Sequence, residues 1–149
     1  MRPPDQHVPQ GKYFQLIYQS TIQGQLDSAS IESLVNQSSV HNNRSDITGL
    51  LIQKNKRFLQ ILEGKPIAIL RLFERIEQDH RHTDVHVLHQ HYVDQRKFAD
   101  WSMRLVAPDD ALRVGGPVYN KLFESGRSGF TDHTGPSAAI FATLYEFVA

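Results

Sequence analysis

Cysteine is absent from the 149 residues. That excludes disulfides, thiolate metal sites, a cysteine nucleophile and any thiol adduct with a cofactor. An excess of charge of either sign is also missing. Lys and Arg number 16, and Asp and Glu number 16, so no global field draws the chain to nucleic acid or to an acidic membrane. No basic run, RNA-binding motif or internal repeat occurs. No apolar run approaches the length of a membrane span, and nothing resembles a signal peptide. A soluble cytoplasmic protein without nucleic-acid or membrane partners is therefore expected. What is present is ordinary globular composition, 40% apolar and 21% charged, enough for one domain around one core.

The pattern along the chain reads βαββαββ. Residues 1–12 hold three prolines and little to bury, and are expected to be a flexible leader. "YFQLIYQS" is a strand with Phe14, Leu16 and Tyr18 on one face. Asp27 or Ser28 can cap a helix over about 28–40, whose apolar residues include Ile31, Leu34 and Val35. "HNNRSD" reads as a polar break. "ITGLLIQ" and "RFLQILEG" read as strands joined by a hairpin at "NKR". Pro66 suits the first turn of a second helix, to about 78, with Ile69, Leu70, Phe73 and Ile76 as its stripe. "VHVLHQHYV" and "WSMRLV" read as the last two strands. Such an order predicts an α+β sheet with both helices on one face. The strands are apolar on both faces, so residues 107–149 are expected to cover the second one. A short helix near 109–114 and a terminal helix in "SAAIFATLYEFV" would do so.

One residue disturbs this pattern. On "RFLQILEG", Gln60 shares a face with Phe58 and Leu62, while Leu59, Ile61 and Glu63 share the other. An unpaired carboxamide there would cost about 1–3 kcal/mol. Tyr18 is a second inward polar tip on a neighbouring strand. Asn42 and Asn43 lie where the first helix meets the second strand, and Trp101, Met103 and Leu105 share a face of the last strand. Each residue has a plain reading: Tyr bonded to a carbonyl, Asn ending a helix, Trp and Met as core. Together they describe a crevice able to take a flat ligand edge-on.

Five motifs stand in order: "LIYQS" at 16–20, "NN" then "ITGLL" at 47–51, "FLQILEG" at 58–64, "RIEQDHRH" at 75–82 and "RKFADWSM" at 96–103. In order and spacing, over about 13–106, they resemble the BLUF domain, a flavin-binding sensor of blue light. The resemblance implies a ferredoxin-like βαββαββ fold: a five-stranded mixed sheet, two helices on one face, and a C-terminal helical cap (107–149) on the other. It implies a non-covalently held flavin, FAD with FMN or riboflavin also accepted. Tyr18 matches the tyrosine that gives an electron and a proton on illumination. Gln60 matches the glutamine between that phenol and the flavin. Asn42 matches the asparagine on the flavin's carbonyl edge. His41 replaces an asparagine common in the family. Arg75, Ile76 and Asp79 match positions beside the ring and the ribityl chain, and Arg81 a position able to meet phosphate. Trp101 and Met103 match the pair linked to signalling. The implied response is a rearranged Gln60, a red-shifted absorption and a signal passed through the last strand and the cap to a partner protein. Residues 107–149 are too few for a cyclase or phosphodiesterase domain, so a non-enzymatic module of the short type is expected. The apolar Leu144, Tyr145, Phe147 and Val148 suggest an oligomer interface or simply core.

Two other readings come from other classes. "HRHTDVHVLHQH" holds His80, His82, His86, His89 and His91 with Asp84, and imidazole binds zinc and copper. Strand alternation splits these between two faces. The second is an acylphosphatase-like enzyme using Arg81 and Asn42.

Overall fold

The computed structural model describes residues 12–113, 116, 118–119 and 136–148. The expected leader lies outside this set apart from Lys12, as do residues 114–115, 117, 120–135 and 149 of the expected cap at 107–149. Five strands form one sheet: β1 Tyr13–Ile22, β2 Thr48–Lys54, β3 Arg57–Gly64, β4 His82–Val93 and β5 Arg104–Val106. Their spatial order is β4-β1-β3-β2-β5. β5 runs parallel to β2 and every other pair is antiparallel, which makes the sheet mixed. The helices whose bounds lie among the described residues are α1 Ser28–Arg44, α2 Pro66–Gln78, α3 Pro108–Leu112 and α4 Pro136–Val148. The α+β sheet and βαββαββ order are thus as the sequence pattern implied, and the ferredoxin-like fold is as the resemblance implied.

Alternation along β1 and β3 builds two cores. Phe14, Leu16, Tyr18, Phe58 and Leu62 pack with Ile69 and Phe73 of α2. Ile17, Leu59 and Ile61 pack on the opposite side with Phe98 and with Leu144 and Phe147 of α4. We call these the helix face and the cap face. Leu144 and Phe147 are therefore core residues, whereas Tyr145 is exposed. The β2–β3 hairpin turns at Asn55, which takes φ 55°. Its cations reach α4: Lys54 Nζ donates to the Val148 carbonyl at 2.7 Å, and Arg57 lies over the Phe147 ring. At Gly49 an added Cβ would lie 1.9 Å from the Ile61 carbonyl oxygen, so the approach of β2 to β3 there requires glycine.

Two boundaries depart from expectation. Asp27 caps α1, accepting from the Ser30 amide at 2.8 Å. The helix then runs to Arg44, so Asn42 and Asn43 are helical rather than part of a break. Asn is a weak helix former because its side chain competes for backbone groups. Here the Asn42 side chain is bonded elsewhere and almost fully buried. At the other end, β5 begins only at Arg104. Trp101 and Met103 precede it in irregular backbone, where strand alternation does not operate. They therefore do not share a face. Met103 packs into the helix-face core, while Trp101 packs against the cap-face core and stacks on Phe98 at 5.7 Å.

Candidate functional site

A cavity of about 310 Å3 opens between α1 and α2 over the helix face, at the lower end of the range of small-molecule and cofactor sites. Its floor is the antiparallel pair β1–β3, in which Tyr18 is the direct partner of Gln60. That register places both side chains on one face, and the Tyr18 hydroxyl donates to Gln60 Oε1. The amide's other end, Nε2, donates to Met103 Sδ at 3.4 Å. Sulfur is a weak acceptor, so this end of Gln60 is held far less firmly than Oε1. Tyr18 is buried, with Phe73 edge-on at 5.7 Å and His82 at 6.2 Å. Burial, and secondarily the Asp79 carboxylate, push its hydroxyl pKa well above the usual phenol value. The phenol is a proton donor at any ordinary pH.

The walls come from both helices. Leu34, Gln37, Ser38, His41 and Asn42 line the cavity from α1, at the spacing of one helix face. Leu72, Arg75 and Ile76 line it from α2, followed by Asp79, Arg81 and His82. Every cofactor-binding position named by the resemblance therefore lies on this one cavity: Tyr18, His41, Asn42, Gln60, Arg75, Ile76, Asp79 and Arg81. Met103 reaches it through Gln60, and Trp101 lies on the far side of the sheet.

The polar groups at the rim already engage one another. Asn42 Nδ2 donates to the Ser102 carbonyl at 2.9 Å, which ties α1 to the segment before β5. The Arg75 guanidinium meets the His41 ring at the mouth. Partial burial, then the Arg75 and Arg44 charges, lower the His41 pKa, so the ring is neutral near pH 7. Arg81 forks onto Asp79, with contacts of 2.6–3.1 Å. The hydrogen bonds from Arg81 hold the Asp79 carboxyl below the usual range. His82 links two walls: Nε2 donates to the Ile76 carbonyl at 2.6 Å, and Nδ1 meets Ser20 Oγ at 2.8 Å.

A flat heteroaromatic with one edge of alternating donors and acceptors suits this donor set. Apolar walls face each other across the opening, and amide, imidazole and guanidinium groups converge at one end. Among the described residues, no three His, Cys, Asp or Glu side chains come together as metal ligands. Arg81 is engaged by Asp79 and Asn42 by a carbonyl, which leaves the acylphosphatase-like reading without a free cation–amide pair at that pair of residues. No helix among the described residues is long and apolar enough to cross a membrane.

Several residues were not singled out from the sequence. Ser38, Gln37 and Leu34 were legible, since they stand at helical spacing from His41. His82 looked like one more strand histidine. On the cap face, Glu63 is completely buried. It accepts from Gln15 Nε2 at 2.7 Å, the Lys97 amide at 2.9 Å and the Phe98 amide at 2.7 Å. Burial pushes its pKa up, although these hydrogen bonds and Arg96 pull it back. Gln15 Oε1 is buried without a partner. The available signal was a charged residue at an inward position of an otherwise apolar strand.

Comparison with known proteins gives a consistent result. Residues 13–104 match the model of the family BLUF, sensors of blue-light using FAD. The blue light- and temperature-regulated antirepressor BluF of Escherichia coli (strain K12) is 32% identical over 115 residues, 77% of this chain and 28% of that protein. The photoactivated adenylate cyclase subunit beta of Euglena gracilis is 29% identical over 76% of this chain and 13% of its own. The chain thus spans less than a third of the length of these curated relatives. Among solved structures, the dark-state structure of BlrB, a BLUF protein, matches with a TM-score of 0.64 and 27% identity over 90% of this chain and 98% of that one.

Proposed function

The chain belongs to the BLUF family of flavin-binding blue-light sensors, and from that premise we propose that it is a cytoplasmic photoreceptor holding FAD between α1 and α2. Tyr18 and Gln60 carry its photochemistry. The observation that carries this reading is the buried Tyr18–Gln60 hydrogen bond on the floor of the cavity. Asn42, His41 and Arg75 hold the ring's polar edge. Ile76 and Leu34 clamp its faces, and Asp79 with Arg81 receives the ribityl and phosphate end.

When bound, the flavin would supply absorption of blue light and an acceptor for one electron and one proton. The protein supplies the proton path. Tyr18, kept protonated by burial, loses its hydroxyl proton to Gln60 Oε1 as it loses an electron. An amide that takes a proton at Oε1 would pass one on from Nε2 to that same acceptor, because the Met103 thioether cannot take it, and so would exchange its donor and acceptor ends. The return of electron and proton to Tyr18 leaves Gln60 rearranged. Its bond to Met103 Sδ is the weakest it makes, so it is the first to be lost. Met103 lies directly before β5, which carries the change to the cap at 107–149 and on to a partner protein or a second copy of the chain. In this reading the domain at 13–106 senses, and no catalytic domain is needed within the chain.

A visible spectrum of the full-length chain with FAD, before and after blue illumination, tests this. A flavin spectrum that shifts to the red and recovers in the dark is expected. Tyr18→Phe should keep the flavin and lose the shift. A full shift in that variant removes Tyr18 from the mechanism, and a colourless protein after FAD is supplied removes the function.

A further inference from the structure

β3 holds the segment between β4 and β5 from both sides of the sheet. On the helix face, Gln60 reaches Met103 Sδ. On the cap face, three residues further along, Glu63 takes the amides of Lys97 and Phe98. Between these grips, Trp101 and Ser102 present their carbonyls to Gly49 N at 2.8 Å and Asn42 Nδ2 at 2.9 Å. Arg96 fastens the start of the segment, with NH1 to Thr48 Oγ1 at 3.0 Å and NH2 to the Asp46 carbonyl at 2.7 Å. The two grips differ in kind. Glu63 is a fully buried carboxylate with three N–H donors directed at it. Gln60 offers one N–H to a thioether. Charge-assisted hydrogen bonds are roughly twice as strong as neutral ones, and sulfur is a poor acceptor.

We propose that Glu63 is the fixed anchor that sets where Met103 meets Gln60, making it a positioning residue for the light response although it lies on the opposite side of the sheet from the cavity. This rests on the photoreceptor reading only for its functional consequence. The placement itself concerns the chain alone. The carboxylate is chemically required, because all of its partners are donors. A carboxamide presents one acceptor and one NH2 group, and the NH2 would face an N–H. With the anchor lost, the segment is free to slide, and Met103 leaves Gln60.

The sequence contains two methionines, Met1 and Met103, so one substitution assigns the Met103 methyl resonance. The full-length chain with FAD, kept in the dark, is compared with Glu63→Gln, Glu63→Asp and Gln60→Leu. The Met103 methyl signal is expected to move in Gln60→Leu and to move again in Glu63→Gln. Glu63→Asp keeps the charge with a shorter reach, and should move it part of the way. This dark readout needs no photochemistry, so it stands or falls separately from the red shift. For the functional arm, Glu63→Gln should slow dark recovery about three- to tenfold, the weight of one hydrogen bond. It should have no further effect in a Met103→Leu background. An unmoved Met103 resonance in both Glu63 variants overturns the proposal. So does a recovery defect of the same size with and without Met103, which would mean that Glu63 acts only on general stability. If Glu63→Gln does not fold, Glu63→Asp is read in both backgrounds in its place.

Discussion

The two faces of the sheet carry the same device in opposite states. On each, β1 and β3 place a buried amide directly across from an ionisable group: Tyr18 across from Gln60 on the helix face, and Gln15 across from Glu63 on the cap face. The helix-face pair borders a cavity and is under-held, with one strong hydrogen bond and one contact to sulfur. The cap-face pair is enclosed, and its carboxylate accepts from three donors. Residue type alone does not make a switch. Gln60 can exchange its ends because the Tyr18 hydroxyl can both donate and accept, whereas Gln15, although its Oε1 has no partner, must keep Nε2 toward a carboxylate that only accepts. The difference lies in what covers each face. A cavity lies between α1 and α2 on one face, and α4 with Phe98 closes the other.

Gln60→Leu is the largest test of that contrast. It should retain flavin and abolish the light-induced shift entirely, while leaving the Tyr18 hydroxyl unpaired at a cost of about 1–3 kcal/mol. Difference spectroscopy and thermal unfolding read the two effects separately, and a wild-type shift from Gln60→Leu breaks the assignment of the switch to this face. Leu144→Ala strikes only the cap face. Leu144 is fully buried, so about 2–5 kcal/mol of stability should be lost with the red shift unchanged. A lost shift in that variant would mean that the faces are not separable.

The smallest effect is one of sign with pH. The Glu63 pKa is raised by burial, so its contribution to stability is full below the ordinary glutamate value and is lost as pH rises through the raised one. The Asp79 pKa is lowered, chiefly by the hydrogen bond from Arg81. Its contribution is present above the ordinary aspartate value and is lost as pH falls through the lowered one. Unfolding midpoints of the wild type, Glu63→Gln and Asp79→Asn over about pH 3–7 should therefore diverge in opposite directions. Parallel curves would refute the electrostatic half of the comparison.

The strand pattern was readable because β1 and β3 alternate apolar residues with few interruptions, and α2 was readable from a proline start and an apolar stripe. Tyr18 and Gln60 stood out as polar residues at inward positions. The irregular segment before β5 was not readable. "WSMRLV" has the composition of a strand, yet Trp101 is drawn onto Phe98 and under the Arg104 guanidinium, and pairing with β2 begins only at Arg104. The C-terminal end of α1 escaped in the same way. Two asparagines signal a break, but Asn42 is held inside the helix by a hydrogen bond to Ser102, sixty residues away in sequence.

Local spacing therefore determined the order of elements, which side chains share a strand face, and that a phenol and a carboxamide both point inward, because side-chain direction follows from backbone geometry within a few residues. Only the tertiary structure decided that these two groups are direct partners, that Met103 rather than Trp101 reaches Gln60, and that Glu63 grips the segment carrying Met103. Those facts depend on strand register and on contacts between residues some thirty to sixty positions apart, and no local pattern encodes a distance across the fold.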